Sequence, residues 1–459
     1  MAPHYDAAII GTGQAGPSLA NRLTQAGMKV AVIEQGRFGG TCVNNGCIPT
    51  KTLVASAYAA HLVARAAEYG VTIEGRVAMD MKKVKARKDM ISGTSMKGVE
   101  TWLRGMPNCT VLRGHGRLVS ATEIEVGTER LTADKVFLNV GGRALVPKIP
   151  GIETVDYLTN DSIMNIDFAP RHLIILGGSY IGLEFAQIYR RFGSAVTVIE
   201  AAPRLIPRED EDISSSVKDI LAGEGIVFHL EHKCAGLSKR GDTIVAHIEG
   251  PGGTSEVEGS DLLLAIGRIP NTDDLGLDKA GVHVDPRGYI VTDEFLRTSA
   301  PNIWALGDCN GRGAFTHTSY NDYEIVATNL LDNATRRVTD RILTYALFID
   351  PPLGRIGMTE HDARTAGRPL LIGRRPMTRV GRAVEKGETL GFMKILVDAE
   401  TQKILGAAIL GTSGDEAVHC LTDTMYAGAP YTTLAHAVHI HPTVSELIPT
   451  VLGDLKPLR

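Results

Sequence analysis

The stretch Ala7-Ala8-Ile9-Ile10-Gly11-Thr12-Gly13-Gln14-Ala15-Gly16 decides the fold of this chain. Four small or apolar residues read as a buried strand, and the glycines after them read as a tight turn into a helix. The helix carries Leu19 and Leu23 and ends near Gly27; a second strand over 29–33 then stops at Glu34. Each part has a physical task in holding a dinucleotide. Gly11 allows the turn, Gly13 lets backbone approach a pyrophosphate, and Gly16 lets helix pack on strand. The helix N-terminus attracts phosphate, and Glu34 accepts hydrogen bonds from ribose hydroxyls.

The same pattern returns at Leu173-Ile174-Ile175-Leu176-Gly177-Gly178-Ser179-Tyr180-Ile181-Gly182. A helix is expected to Gly193, then a strand over 195–199 that stops at Glu200. Ser179 takes the place of the second glycine and is small enough to do so. Two dinucleotide folds in one chain imply two cofactors, one held and one visiting. An acid at Glu200 pairs with two free ribose hydroxyls and repels a 2′-phosphate, which favours NADH; Arg204 nearby softens that rejection.

Composition bounds the rest. The chain has 459 residues, 44% hydrophobic and 22% charged, with 50 glycines in no three-residue period. At roughly 150 residues per domain this implies about three domains, each able to bury a core. A formal net charge of −4 gives no basic footprint for nucleic acid or an anionic membrane. No apolar run approaches the roughly 20 residues that span a bilayer. The opening residues run from Asp6 straight into a strand, with no room for a secretory leader. A soluble, cytoplasmic protein is expected, with neither nucleic acid nor membrane as partner.

Of the six cysteines, Cys109, Cys234, Cys309 and Cys420 stand alone and read as small buried apolar residues. Cys42 and Cys47 are close together in Gly39-Gly40-Thr41-Cys42-Val43-Asn44-Asn45-Gly46-Cys47-Ile48-Pro49-Thr50-Lys51, ahead of a helix expected over 52–69. Their spacing lets one helical turn bring both sulfurs together. A helix N-terminus and a neighbouring lysine would stabilise a thiolate there. Zinc would need further Cys or His at ligand spacing, and none follows, so no resident metal is expected.

The run GGTCVNNGCIPTK over 39–51 resembles the redox-active signature of the class I pyridine nucleotide–disulfide oxidoreductases. That family includes dihydrolipoamide dehydrogenase, glutathione reductase and mercuric reductase. The likeness runs in order along nearly the whole chain. Its texture, CVNNGCIPTKTLVASA, is most similar to the mercuric-reductase-like and reactive-chlorine-resistance flavoprotein reductases.

The resemblance implies FAD in the first fold and NADH or NADPH in the second, and it assigns roles. Cys47 is the sulfur nearest the flavin, the charge-transfer thiolate, and Cys42 is the interchange thiol that attacks substrate. Thr41 and Lys51 belong to the cofactor site, with Lys51 beside the reactive flavin nitrogen and paired with Glu184. Tyr180 resembles the family's gate, a ring over the flavin that yields to nicotinamide. The run 298–308 is similar to the second FAD-contact motif, in which Asp308 meets the ribityl chain. The run 264–271, with Gly267, resembles the turn from the nicotinamide domain back to the flavin domain. Its counterpart, Leu138-Asn139-Val140-Gly141-Gly142-Arg143, departs from the usual alanine-threonine-glycine at Val140.

Near the carboxyl end, His439-Ile440-His441-Pro442-Thr443-Val444-Ser445-Glu446 places a neutral-range titrating group five residues before a carboxylate that can fix its tautomer. By resemblance His441 is the acid/base, Glu446 orients it, and it reaches Cys42 of the partner subunit, which implies a homodimer. His439 reads as a packing residue of an extended segment.

The expected fold is α/β, with two Rossmann-like dinucleotide-binding domains and an α+β carboxyl-terminal dimerisation domain. The FAD domain is read as 1–150 with 272–335, the NAD(P)H domain as 151–271, and the dimerisation domain as 345–459. The run 345–360 resembles that domain's opening strands. The charge run 82–88 reads as a solvated helix face. No cysteine follows Cys420, and no amino-terminal metal-binding extension precedes the first strand, which weakens mercury as substrate. The soft thiolates of Cys42 and Cys47 still suit Hg(II) or Cu(I). The expected activity is NAD(P)H-dependent reduction of a small disulfide or a thiol-bound metal ion. Dihydrolipoamide dehydrogenase is the alternative enzyme, and a slow redox sensor or binding flavoprotein is the alternative of another class.

Overall fold

A computed structural model describes residues 2–458. The first strand, His4–Ile10, lies parallel between Val30–Glu34 and Glu129–Leu138, with Ile10 opposite both Ile33 and Leu138. Cys109–Arg113 extends the sheet beyond Val30–Glu34, and Ile303–Ala305 joins Glu129–Leu138 in parallel from far along the chain. Ala7, Ala8 and Ile9 are fully buried. A strand covered on both faces must be apolar throughout, which is why this stretch does not alternate. The helix Gly16–Gln25 follows with Pro17 in its first turn, a position that loses no hydrogen bond.

A second parallel sheet holds His172–Leu176, Ala195–Glu200, Val227–Leu230 and Asp261–Leu264. An antiparallel meander, Lys233–Arg240, Thr243–Gly250 and Gly253–Gly259, lies against it and shares one core with it. Between the two sheets, Gly142–Ala144 pairs antiparallel with Arg268–Pro270, so the two similar turns seen in the sequence are physically joined. A six-stranded antiparallel sheet, opening with Thr344–Leu347 and Leu353–Gly357, completes the chain. The α/β class expected from the sequence is borne out.

Local differences have local causes. The helix expected over 52–69 starts at Cys47 and ends at Ala64, followed by a short 3₁₀ turn, Ala66–Tyr69, closed by Gly70 at φ 74°. The charge run is only partly a solvated face. In the helix Met81–Gly105, Met81 and Val84 join the core around Leu53, Ile163 and Met164. Lys88 follows them inward, donating to the Met164 carbonyl at 2.6 Å and pairing with Asp89. Of the lone cysteines only Cys309 is fully buried; Cys109, Cys234 and Cys420 are half-buried. His439 lies in a segment without regular structure, half-buried between fully exposed Val438 and largely exposed Ile440. Among the described residues no helix is long and apolar enough to cross a membrane.

Candidate active site

The two close cysteines stand on different helices. Cys42 sits within the short helix Gly40–Asn44, and Cys47 is the first residue of Cys47–Ala64. The sulfurs are therefore brought together by a break at Asn45 and Gly46, not by one helical turn. The break is possible because the chain is tightly folded on itself. A Cβ on Gly46 would lie 2.8 Å from the Thr41 carbonyl oxygen, and one on Gly40 would lie 2.8 Å from the Gly13 Cα. The Asn44 amide fastens the loop by donating to the carbonyls of Phe38 and Gly40 at 2.8 and 2.9 Å.

Both cysteines are free thiols. Cys47 is held as the easier thiolate, its pKa pulled down to about 6 by the hydrogen bond from Cys42, by the Thr316 hydroxyl at 3.1 Å and by the charge of Lys51, against the opposing effect of burial. The Cys42 thiol is pushed up because it donates to Cys47, is buried, and faces the charge of its neighbour. The place of Cys47 at the start of an 18-residue helix adds the dipole to the effects that lower its pKa. Lys51 Nζ meets Glu184 Oε2 at 2.6 Å and lies 4.4 Å from the centre of the Phe348 ring. The other oxygen of Glu184 accepts the Phe348 N–H at 3.0 Å. A helix of the second fold and the loop after Thr344–Leu347 thus meet around one lysine of the first.

These groups border a cavity of about 1170 Å³. Gly11, Gly13, Glu34 and Thr41 line one part of it, and Cys42, Cys47, Lys51, Tyr180, Glu184 and Asp308 line another. The residues present fit a bound dinucleotide. Gly11 holds φ 100°, and a side chain there would strike the Asn139 carbonyl oxygen at 2.3 Å. The Glu34 carboxylate ends its strand facing the cavity while accepting from the N–H groups of Thr12 and Gly36 at 3.0 and 2.7 Å. Burial raises the carboxyl pKa of Asp308, an acceptor 3.8 Å from the Arg268 guanidinium. Gly16 does not line the cavity. It sits behind the turn, where its N–H donates to Asn139 Oδ1 at 3.0 Å and a Cβ would crowd the Gly11 oxygen at 2.5 Å.

The second glycine turn lies apart from this cavity. Gly177 holds φ 110° against Ala265, and Gly182 packs on the Gly177 oxygen, where a Cβ would come within 2.1 Å. Gly267 lies at φ 143° beside Leu145, next to the strand that returns to the first sheet. Glu200 accepts from Gly178 N–H at 2.6 Å and Ala202 N–H at 2.7 Å, while half-buried Arg204 turns to the Pro207 carbonyl at 3.1 Å. From this fold the start of the helix Tyr180–Arg191 reaches the cavity, as do Thr159, Asn160, Asp161 and Arg268. The Tyr180 ring meets Tyr345 edge-on at 5.5 Å.

His441 and Glu446 are brought together but not to the cysteines. The imidazole Nδ1 lies 3.0 and 2.9 Å from the two Glu446 oxygens, and the His441 side chain is 80% exposed. Neither residue lines the cavity. Sequence reasoning missed Thr316, Phe348, Tyr345 and Asn139. Asn139 stitches the first turn to the strand end, accepting from Gly16 and donating to the Leu306 carbonyl at 2.9 Å. Its signal was its place straight after an apolar strand; Thr316 opens the helix Thr316–Leu331, Tyr345 lies in a strand and Phe348 in the loop after it, none with a local mark. Among the described residues no group of three or more His, Cys, Asp or Glu side chains is arranged to hold a metal ion.

Known proteins share this arrangement. The family model for pyridine nucleotide-disulphide oxidoreductases matches residues 5–322, and the model of that family's dimerisation domain matches residues 343–452, which supports a homodimer. RclA of Escherichia coli strain K12, a probable pyridine nucleotide-disulfide oxidoreductase, is 37% identical over 98% of this chain and 99% of its own. Mercuric reductase of Streptomyces lividans is 33% identical, covering 97% and 94%, and dihydrolipoyl dehydrogenase of Thermus scotoductus is 33% identical, covering 96% and 95%. The solved structure of RclA, an HOCl-induced flavoprotein disulfide reductase, superposes with a TM-score of 0.90 at 36% identity over 98% of this chain and 100% of that one. A Cu(II) complex of the same protein superposes equally well.

Proposed function

Because this chain belongs to the pyridine nucleotide-disulphide oxidoreductases, whose members bind FAD and use NAD(P)H, we propose that it reduces a small disulfide or a thiol-bound metal ion at Cys42 and Cys47. The observation that carries this reading is the thiol pair in the wall of the cavity, with Cys47 favoured as thiolate beside the Lys51–Glu184 ion pair. FAD would be held by residues of 1–150 and 272–335 and a nicotinamide coenzyme by residues of 151–271, and together they would supply a two-electron reduction. The remaining work falls to side chains.

Two electrons and a proton open the Cys42–Cys47 disulfide to a thiolate at Cys47 and a thiol at Cys42. Cys42 then attacks a substrate disulfide, forming a mixed disulfide and releasing one thiol. Cys47 attacks Cys42, releasing the second product as a thiolate that takes a proton from water, and restoring the internal disulfide. His441, oriented by Glu446 and presented by the partner subunit through 345–459, takes the Cys42 proton and returns it to the leaving thiol. Lys51 holds negative charge at Cys47 and at the flavin edge, and Tyr180 screens the coenzyme side. For a metal ion, the two sulfurs bind it and their electron pair reduces one Hg(II) to Hg(0) or two Cu(II) to Cu(I) as the internal disulfide forms. The acid at Glu200, and an Arg204 committed to Pro207, support NADH over NADPH.

The test is anaerobic NADH oxidation by the purified yellow protein, with lipoamide, a small aliphatic disulfide, and thiol-complexed Hg(II) or Cu(II) in parallel. Turnover with the metals or the small disulfide is expected. Fast turnover with lipoamide alone would make the chain a dihydrolipoamide dehydrogenase, and turnover with none would make it a slow redox sensor.

A further inference from the structure

Tyr180 is tied from behind. Its ring borders the cavity, while its hydroxyl donates to Glu209 Oε1 at 3.3 Å. The same oxygen accepts the Tyr345 hydroxyl at 2.6 Å. Glu209 is 1% exposed, and its other oxygen has no hydrogen-bond partner among the described residues, lying 3.8 Å from Arg355 Nε. Arg355 is also 1% exposed and stands directly opposite Tyr345 across the strands Thr344–Leu347 and Leu353–Gly357. None of its three side-chain nitrogens makes a hydrogen bond; its charge is met only by Glu209 and, at 3.7 Å, by Asp210. A buried charge so loosely matched is costly to keep.

The backbone that delivers Glu209 is strained as well. Ile206, a β-branched residue, holds φ 39°, with its N–H fixed to the Gly178 carbonyl at 2.9 Å. Such conformations persist where surroundings over-determine them, and they cluster at functional sites. Here the strained loop runs from the second glycine turn to the carboxylate behind Tyr180.

We propose that Glu209, fixed by Tyr345 and Arg355, is a latch that holds Tyr180 across the cavity and thereby weakens binding of the nicotinamide coenzyme. The proposal rests on the reading of Tyr180 as the gate and adds what sets the gate's closed position. Glu209 is a positioning residue, since it acts through Tyr180. Entry of nicotinamide breaks the Tyr180–Glu209 bond, so the apparent affinity is lowered by the fraction of molecules in which the latch is open. Tyr345 and Arg355 belong to the carboxyl-terminal sheet, so that sheet tunes coenzyme affinity through Glu209.

The experiment uses the holoenzyme and its Tyr180→Phe, Tyr345→Phe and doubly substituted variants, titrated calorimetrically with tetrahydro-NADH, a reduced analogue that donates no hydride. Tyr180→Phe keeps the ring and loses the bond, and is expected to bind roughly three- to tenfold more tightly. Tyr345→Phe frees the carboxylate to close on Arg355 and is expected to tighten binding too. The double variant is expected to be no tighter than Tyr180→Phe, because both changes open one latch. In anaerobic reduction by NADH the change falls on the apparent dissociation constant, whereas a purely structural role would fall on FAD retention. Unchanged affinity in Tyr180→Phe, or additive effects in the double variant, overturns the latch. Tyr180→Ala separates the two ideas: if it alters analogue binding while Tyr180→Phe does not, the gate stands and the latch falls. If it alters nothing, the gate reading falls and the latch with it.

Discussion

One ionisation distinguishes the two cysteines. Cys47 accepts from Cys42 and from Thr316 and faces Lys51, so its negative charge is stabilised where that of Cys42 is opposed. In the reduced holoenzyme, thiolate absorbance lost in a Cys47→Ser control is expected to titrate near pH 6. Lys51→Met removes one of the stabilising charges and is expected to move that titration upward by about one unit. A titration left in place by Lys51→Met would detach the lysine from the thiolate. Because folding favours the ionised form, the stability it contributes is complete above the ordinary thiol value of 9.0 and fades as pH falls through about 6. Thermal melts of the reduced protein, compared with Cys47→Ser across that range, check the sign.

At the scale of elements, the site depends on a close approach between the first glycine turn and the short helix that carries Cys42. Gly40 holds φ 61°, and a Cβ there would sit 2.8 Å from the Gly13 Cα, which is backbone and cannot turn aside. Gly40→Ala is therefore expected to cost about 1–3 kcal/mol of stability and to loosen FAD. Melting temperature and the flavin retained after gel filtration measure it; a wild-type melt with full flavin would show that the two backbones can separate freely. By contrast, Gly98 lies in the helix Met81–Gly105 with no atom near its Cβ position, so Gly98→Ala is expected to melt no lower than the parent. The pair makes the close approach, and not glycine loss in general, the tested feature.

At the scale of the whole molecule, His441, proposed as the acid/base, and the thiols of one chain do not meet. His441 is bound to Glu446, exposed to 80%, and placed beside bare Val438 and Ile440. A site completed across a homodimer predicts complementation between two inactive variants. Cys42→Ser is expected to lose disulfide reduction while keeping FAD, and His441→Gln to lose most of it, with a smaller loss toward metal ions. Denatured together and refolded, the two should recover roughly a quarter of wild-type disulfide reduction, since half of random dimers are hybrids with one intact site of two. No recovery in hybrids verified by mass would mean that His441 serves its own chain.

Much of this was legible in the residues. The two strand-turn-helix runs, each closed by an acid, imply the α/β class because only glycine tolerates the positive φ of Gly11 and Gly177 and the crowding behind Gly16 and Gly182. The Cys42–Cys47 run and the His441–Glu446 spacing were equally plain, since neighbours in sequence are neighbours in space there. What the sequence misread were places where a distant surface intervened. Lys88 was assigned to solvent by its charge, but the Met164 carbonyl, in the distant 3₁₀ turn Ser162–Asn165, gave its ammonium a buried acceptor. Thr316 on the Cys47 sulfur, Phe348 beneath Lys51, and Tyr345 with Arg355 around Glu209 carry no local pattern, because each meets its partner from more than 130 residues away. Periodicity and turn chemistry act over a few residues, and so the chain alone determined the elements and the reactive groups. Packing segments distant in sequence around one cavity decided which of those groups are charged or held.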